Sequence, residues 1–202
     1  MKRLALASIA SVCVSTLLAG CGKDDETKAN PFADLDGTWT MACAPDEGED
    51  GSWSKQTAVH SGGTGNFTLQ LYSDADCTTE TTSLTMTATY TGGNAVATPA
   101  GAKEVDVTVS KVTITAKTDD AVTLWNNFCG GGFTKDTAKE LTATTCADDA
   151  SFKSTFDAQY TLYKIDGTKL YEGKCGDSGS ATDCTTSAKR ATELDTVFWT
   201  KS

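Results

Sequence analysis

The chain has 202 residues, 27 acidic against 17 basic, with one histidine, eight cysteines and a formal net charge of −10. An acidic balance does not suit phosphate backbones, which argues against a nucleic-acid partner. One histidine and no coherent acid–base set leave little for catalysis, so the chain reads as a protein that is not an enzyme.

In chain order, Lys2 and Arg3 lead into an apolar run from Leu4 to Leu18, and small residues and Cys21 follow. A run of about 15 residues is short of the roughly 20 that a membrane span needs. Basic, then apolar, then small is the order of a secretory signal. Leu17-Leu18-Ala19-Gly20-Cys21 resembles the lipobox of bacterial lipoproteins. The resemblance covers residues 1–21. It implies cleavage before Cys21, a diacylglycerol on the Cys21 sulfur, and an acyl chain such as palmitate on the new amino group. Two or more such chains hold a protein stably at a membrane. Gly22 stands where an aspartate would favour the inner membrane, so the outer membrane of a cell envelope is expected. Residues 1–20 are then the leader, 21–34 a flexible tether containing Pro31, and 35–202 the folded domain. Loss of the leader leaves 182 residues and, with Lys2 and Arg3 gone, a net charge of −12.

Cys13 leaves with the leader, and Cys43, Cys77, Cys129, Cys146, Cys175 and Cys184 remain beside Cys21. An even set in an exported chain reads as three disulfides, for which fifteen pairings exist. Neighbour pairing is expected: Cys43–Cys77, Cys129–Cys146 and Cys175–Cys184, each contributing about 2–4 kcal/mol. There is no C-x-x-C and the lone histidine is His60, so neither a zinc site nor another cofactor is expected.

The domain reads as all-β. It holds 33 of the chain's 35 threonines, β-branched residues that suit the outer face of a strand. Gly37–Cys43 opens it. Asn66–Tyr72 and Ser83–Tyr90 alternate apolar and polar residues, so each buries one face. Val105, Val107 and Val109 alternate, then the phase slips to Val112, Ile114 and Ala116, which predicts a bulge or a new strand near Ser110–Lys111. Ala121–Phe128 is a further strand candidate after the turn Asp119-Asp120. A brief helix is expected within 134–158. Gln159–Ile165 and Lys169–Gly173 flank the hairpin signal Asp166-Gly167. Leu194–Thr200 closes the domain. About eight antiparallel strands predict a single disulfide-stapled β-barrel, with a β-sandwich as the alternative. The aromatic residues Trp53, Trp125, Tyr160, Tyr163, Tyr171, Phe198 and Trp199 are expected mostly in the barrel core. Gly130-Gly131-Gly132 lacks a following Lys-Ser/Thr and reads as a plain loop.

Gly37-Thr38-Trp39 on the first strand and Arg190 before the last are similar to the G-x-W and closing cation of the lipocalins and the wider calycin group. The resemblance implies a calycin-like barrel with Trp39 plugging one end and Arg190 stacked over it, all three residues being structural. A clear mid-chain T-D-Y and a C-terminal helix are absent. An eight-stranded barrel can be filled or can hold one small ligand. The expected function is therefore a membrane-anchored binding module for a small apolar ligand or an envelope protein. The alternative is a surface-interaction or inhibitor lipoprotein with a filled core.

Two other patterns are weaker. Cys175-Gly176-Asp177-Ser178-Gly179-Ser180 and Thr57-Ala58-Val59-His60 resemble the serine and histidine loops of trypsin-like proteases, with Asp119 or Asp120 available as the third member. Ala181-Thr182-Asp183-Cys184 then stands where that family has a proline and an apolar strand, so a serine hydrolase is disfavoured. Asp46-Glu47-Gly48-Glu49-Asp50 and Asp74, Asp76 and Glu80 have spacings that can hold calcium, and read by default as solvated loop charge.

The lipobox carries its own test. Cys21→Ser is expected to leave an unacylated precursor, read as loss of palmitate labelling and retention of the leader. Normal labelling of that variant would refute the lipobox.

Overall fold

The computed structural model describes residues 30–46, 51–142, 146, 155–176 and 179–202. The leader, Cys21 and most of the tether lie outside the described residues. The elements are β1 (Gly37–Pro45), β2 (Trp53–Ser61), β3 (Thr64–Tyr72), β4 (Glu80–Ala95), β5 (Lys103–Ala116), α1 (Asp119–Cys129), β6 (Ala138–Leu141), β7 (Gln159–Asp166), β8 (Lys169–Gly173) and β9 (Leu194–Lys201).

The architecture is a closed, antiparallel, eight-stranded β-barrel. β1 to β5 and then β7, β8 and β9 pair in sequence, and β9 returns to β1. β6 is a ninth strand outside the ring. It pairs with Val112–Thr115 of β5, while β7 pairs with Lys103–Val107 on the same edge. Closure rests on two register pairs, Trp39 with Lys201 and Thr40 with Thr200.

Side chains alternate across the wall. One inward row runs Trp39–Ala58–Phe67–Met86, and the next runs His60–Gly65–Ala88. Large residues thus face small ones, which is how a narrow barrel fills its interior. Trp39, Ala58 and Ala88 are fully enclosed. The expected irregularity in β5 is a bulge: Thr87 pairs with Lys111 and Ala88 with Val109, so Ser110 is the extra residue. It puts both apolar triplets, Val105 to Val109 and Val112 to Ala116, on the inner face.

Two ends follow from the strand directions. The base carries the β2–β3 and β7–β8 turns and the incoming chain. The mouth carries α1 and the longer connections. At the base, residues 31–35 form a turn that puts Phe32 and Leu35 into the core. Phe32 packs against Tyr90 and Tyr163. Asp34 accepts from the Tyr163 hydroxyl at 3.0 Å and pairs with Lys103 at 2.7 Å. The folded domain therefore includes residues 30–34, five positions earlier than the tether boundary suggests. A buried aromatic, Phe32, lies within a segment whose composition is otherwise polar.

Two further readings need correction, and β2 is a strand that no alternation announces. Ala121–Phe128 is not a strand but the body of α1. Thr118 Oγ1 accepts from the Ala121 N–H at 3.1 Å, Asp119 and Asp120 occupy the first turn, and Gly130 terminates the helix with φ of 72°. β2 carries no apolar alternation, because its inner face is Ser54, Gln56, Ala58 and His60, small or polar residues opposite large neighbours. Tyr171 and Phe198 pair on the outside of the barrel, where Lys169 covers the Phe198 ring at 4.1 Å.

The six cysteines pair as neighbours: Cys43–Cys77, Cys129–Cys146 and Cys175–Cys184. The first ties β1 to the β3–β4 connection, and the second ties the end of α1 to the residues after β6. The third pins the 174–193 connection, which lays Cys184 and Ala191 over the outward-facing Leu162.

Gly65 stands where a Cβ would overlap the Tyr90 hydroxyl. Gly65→Ala should displace Tyr90 and destabilise the domain by about 1–3 kcal/mol, the usual range for overpacking. Urea unfolding measures this, and an unchanged midpoint would show that the base repacks freely.

Candidate functional site

Two features of the interior could bind something: a groove at the mouth and a polar chamber below it. The groove lies between α1 and the mouth ends of β3 and β4. Its volume is about 690 Å³, and Leu71, Tyr72, Ala121, Leu124, Trp125 and Phe128 give it an apolar lining. Residues 121, 124, 125 and 128 recur at helical spacing and form one stripe of α1. Trp125 fixes the helix by donating its indole N–H to Thr82 Oγ1 at 3.3 Å. Asn126 brackets the loop that follows: its Nδ2 donates to the Phe133 carbonyl at 3.1 Å and its Oδ1 accepts from the Phe133 N–H at 2.8 Å. Phe133 is thereby buried under the helix. Leu124 and Phe128 remain 52% and 40% exposed in the groove. An apolar pair left open beside an otherwise packed rim is what a binding surface presents.

The chamber has a volume of about 40 Å³ and is lined by His60, Tyr90, Thr161, Tyr163 and Glu172 among apolar neighbours. Leu170 of β8 is in the core, so Glu172, two residues on, shares its inward face. Glu172 contributes part of its side chain to the chamber lining and is otherwise exposed. Enclosure raises its carboxyl above the ordinary value, against a hydrogen bond from the Trp199 side chain that lowers it. His60 is 5% exposed. Its Nδ1 lies 2.9 Å from the Tyr90 hydroxyl, and its Nε2 is the buried side-chain polar atom without a partner among the described residues. Burial lowers its pKa to about 4, against a smaller upward pull from Asp36. Burial also raises the Tyr90 phenol, with a contribution from Glu172.

The residues singled out by sequence are placed as follows. Trp39 plugs the base, fully enclosed, with its Nε1–H donated to the Leu35 carbonyl at 2.7 Å. The cation over its ring is Lys201, at 5.0 Å, and not Arg190. Gly37 has φ of 127°, and a Cβ there would press on the Lys201 side chain at 3.0 Å. Arg190 works on the outer wall: it donates to the Val105 and Thr161 carbonyls at 3.2 and 2.9 Å, and pairs with Asp106 at 2.6 Å. It clamps the 174–193 connection to β5 and β7. Both cations lie near the C-terminus, and register decides between them, because Lys201 pairs with Trp39.

His60 and the helix-borne Asp119 are at opposite ends of the barrel. The row containing Ala116 passes through Ser54, six residues or about 20 Å along β2 from His60. Ser178 lies outside the described residues. The Asp74 carboxylate is spent within its own turn, accepting from the Thr78 and Thr79 N–H groups at 3.1 and 2.7 Å, which lowers its pKa to about 2. Residues 47–50 of the other acidic cluster lie outside the described residues, and among those described no metal-holding group of His, Cys, Asp and Glu gathers. Sequence reading passed over Glu172, Leu124 and Phe128, although the period-two pattern of β8 and the 3.6 period of α1 carry all three. No protein-family model matches the chain, and no curated protein matches its sequence.

The His60 shift has a definite sign. The unfolded chain takes up a proton below about 6.5 while the folded protein resists to about 4, so stability falls as pH falls through that window. A gap of that size corresponds to about 3 kcal/mol. Glu172 acts oppositely, its contribution being present at low pH and lost as pH rises through its raised folded value. His60→Gln separates the two. Between neutral pH and pH 4, urea unfolding should show wild type losing about 3 kcal/mol more than the variant. Equal losses would remove His60 as the source.

Proposed function

We propose that this protein is a lipid-anchored lipoprotein of a bacterial envelope, and that its barrel is a non-catalytic module holding a small apolar or amphipathic ligand at the mouth. The observation that carries the reading is the groove of about 690 Å³ with Leu124 and Phe128 open within it. Small-molecule sites fall at roughly 300–1,000 Å³ and favour barrel mouths. The lipobox ending at Cys21 supports the anchor. Cys21 precedes Asn30 by nine residues, a reach of about 30 Å at most, and Asn30 adjoins the base. The base then faces the membrane and the mouth faces away, open to arriving ligand.

A second reading, a surface-interaction lipoprotein, draws on the packed base, whose chamber is only about 40 Å³. The same groove would then meet a protein side chain instead of a free ligand.

The test uses the full mature chain carrying Cys21→Ser, so that no attached acyl chain competes. N-phenyl-1-naphthylamine should give a saturable fluorescence rise. Leu124→Glu and Phe128→Glu, both at exposed positions, should each weaken it about tenfold or more while melting temperature holds, since a charge is put into an apolar site. Absence of saturable binding by wild type would overturn the ligand reading.

A further inference from the structure

We propose that the lumen below the mouth receives a primary ammonium headgroup, with the Glu172 carboxylate as counter-ion and His60 Nε2 as second acceptor. This rests on the ligand reading above and specifies the ligand's polar end.

The charge comes first. Glu172 faces inward beside Leu170 and opposite Tyr163. Seven other carboxylates among the described residues pair with lysine or arginine, and Glu172 is in none of those pairs. The Trp199 side chain bonds to it, and a carboxylate has acceptor sites beyond that one. A carboxylate on the chamber lining that is in none of these ion pairs is a counter-ion for a cationic ligand group.

The second observation is independent. His60 lines the same chamber, is 95% enclosed by the count of its 5% exposure, and has Nε2 unpartnered. With the proton on Nδ1 and donated to the Tyr90 oxygen, Nε2 presents a lone pair. A carboxylate and an imidazole nitrogen around one cavity are two acceptors. The complementary group has several donors and no acceptor, which describes –NH3+. The rings of Phe67, Tyr90 and Tyr163 line the chamber and add attraction for a cation.

Size narrows the class. A chamber of about 40 Å³ accepts a small headgroup and leaves no room for a sugar. Above it Met41, Leu69, Leu84 and Met86 make the inner face of the wall apolar towards the mouth, the surface a tail would meet. Val197, 53% exposed and on the inward face of β9, borders Glu172 from the neighbouring strand. The ligand is thus an amphipathic primary amine.

Octylamine, octanol and octanoate share one tail and differ in head. Their binding to the mature chain with Cys21→Ser is measured by titration calorimetry at neutral pH. Octylamine should bind about tenfold or more tightly than octanol, and octanoate most weakly. Glu172→Gln keeps an acceptor for Trp199, and should erase the octylamine advantage while octanol affinity stays within about twofold. Octanol binding shows that the variant is folded. Val197→Lys places a fixed ammonium beside Glu172 and should displace octylamine in the same way, which keeps the test alive should Glu172→Gln not fold. Equal affinity for octylamine and octanol, or retention of the preference in either variant, would overturn the headgroup assignment and leave the mouth reading standing. Failure of all three probes and of the naphthylamine would overturn both.

Discussion

The barrel closes on very little, and what holds the closure is Trp39. β9 and β1 share two register pairs, one of them between Trp39 and Lys201. Two pairs of main-chain bonds would not keep a ring shut against fraying. The indole supplies the rest. It fills the base, bonds to the Leu35 carbonyl, faces the small Ala58, and carries the Lys201 ammonium over its outer side. The bond to Leu35 also fixes the incoming chain, and with it Phe32 and the Asp34 ion pair. First strand, last strand and entering chain therefore meet on one side chain.

From that plug the interior changes character with height. At the base, ring packs on ring: Phe32 on Tyr90 and Tyr163, Phe67 on His60 and Trp199. Higher up, β7 and β8 are short because β6 occupies the mouth half of the β5 edge. The wall there is completed by connections instead of long strands. Glu172 and Val197 keep accessible surface at this level. The mouth half of β5 instead packs Val112 and Ile114 with Phe133 and Leu141. The bulge at Ser110 serves the same plan, since without it the upper apolar triplet of β5 would face solvent.

How much of this was legible in the sequence depends on whether one strand's own residues carry the signal. β3, β4 and β5 bury Phe67, Leu84, Val105 and their period-two partners, and their alternation is visible in the chain. β2 is equally central, but its inner face is made of small and polar residues because Trp39 and Phe67 fill the space before them. That information sits on neighbouring strands. α1 was legible through its cap and its stop, Thr118 and Gly130, yet its apolar residues read as readily as a strand when the caps are ignored. The cysteine pairing followed from closing short loops. The choice of Lys201 over Arg190 did not, because it needs the register across the closure. Of the site, the positions of Glu172, Leu124 and Phe128 follow from periodicity once strand and helix are assigned. The chamber itself needs the closed ring.

The polar groups on the inner face are the clearest sign that the interior is not built for stability alone. Position 60 sits between Phe67 and Tyr90, and position 172 beside Trp199, places where apolar side chains would complete the packing. A carboxylate with a raised pKa works against folding near neutral pH, and a histidine held neutral works against it as pH falls below about 6.5. The domain offsets them elsewhere. Three disulfides constrain the unfolded chain by about 2–4 kcal/mol each, and Arg190 spends its donors on fastening the longest connection to the wall. A scaffold stabilised from outside can keep a strained polar centre within. Two acceptors at one small chamber, His60 Nε2 and the Glu172 carboxylate, are what the proposed ammonium headgroup would meet.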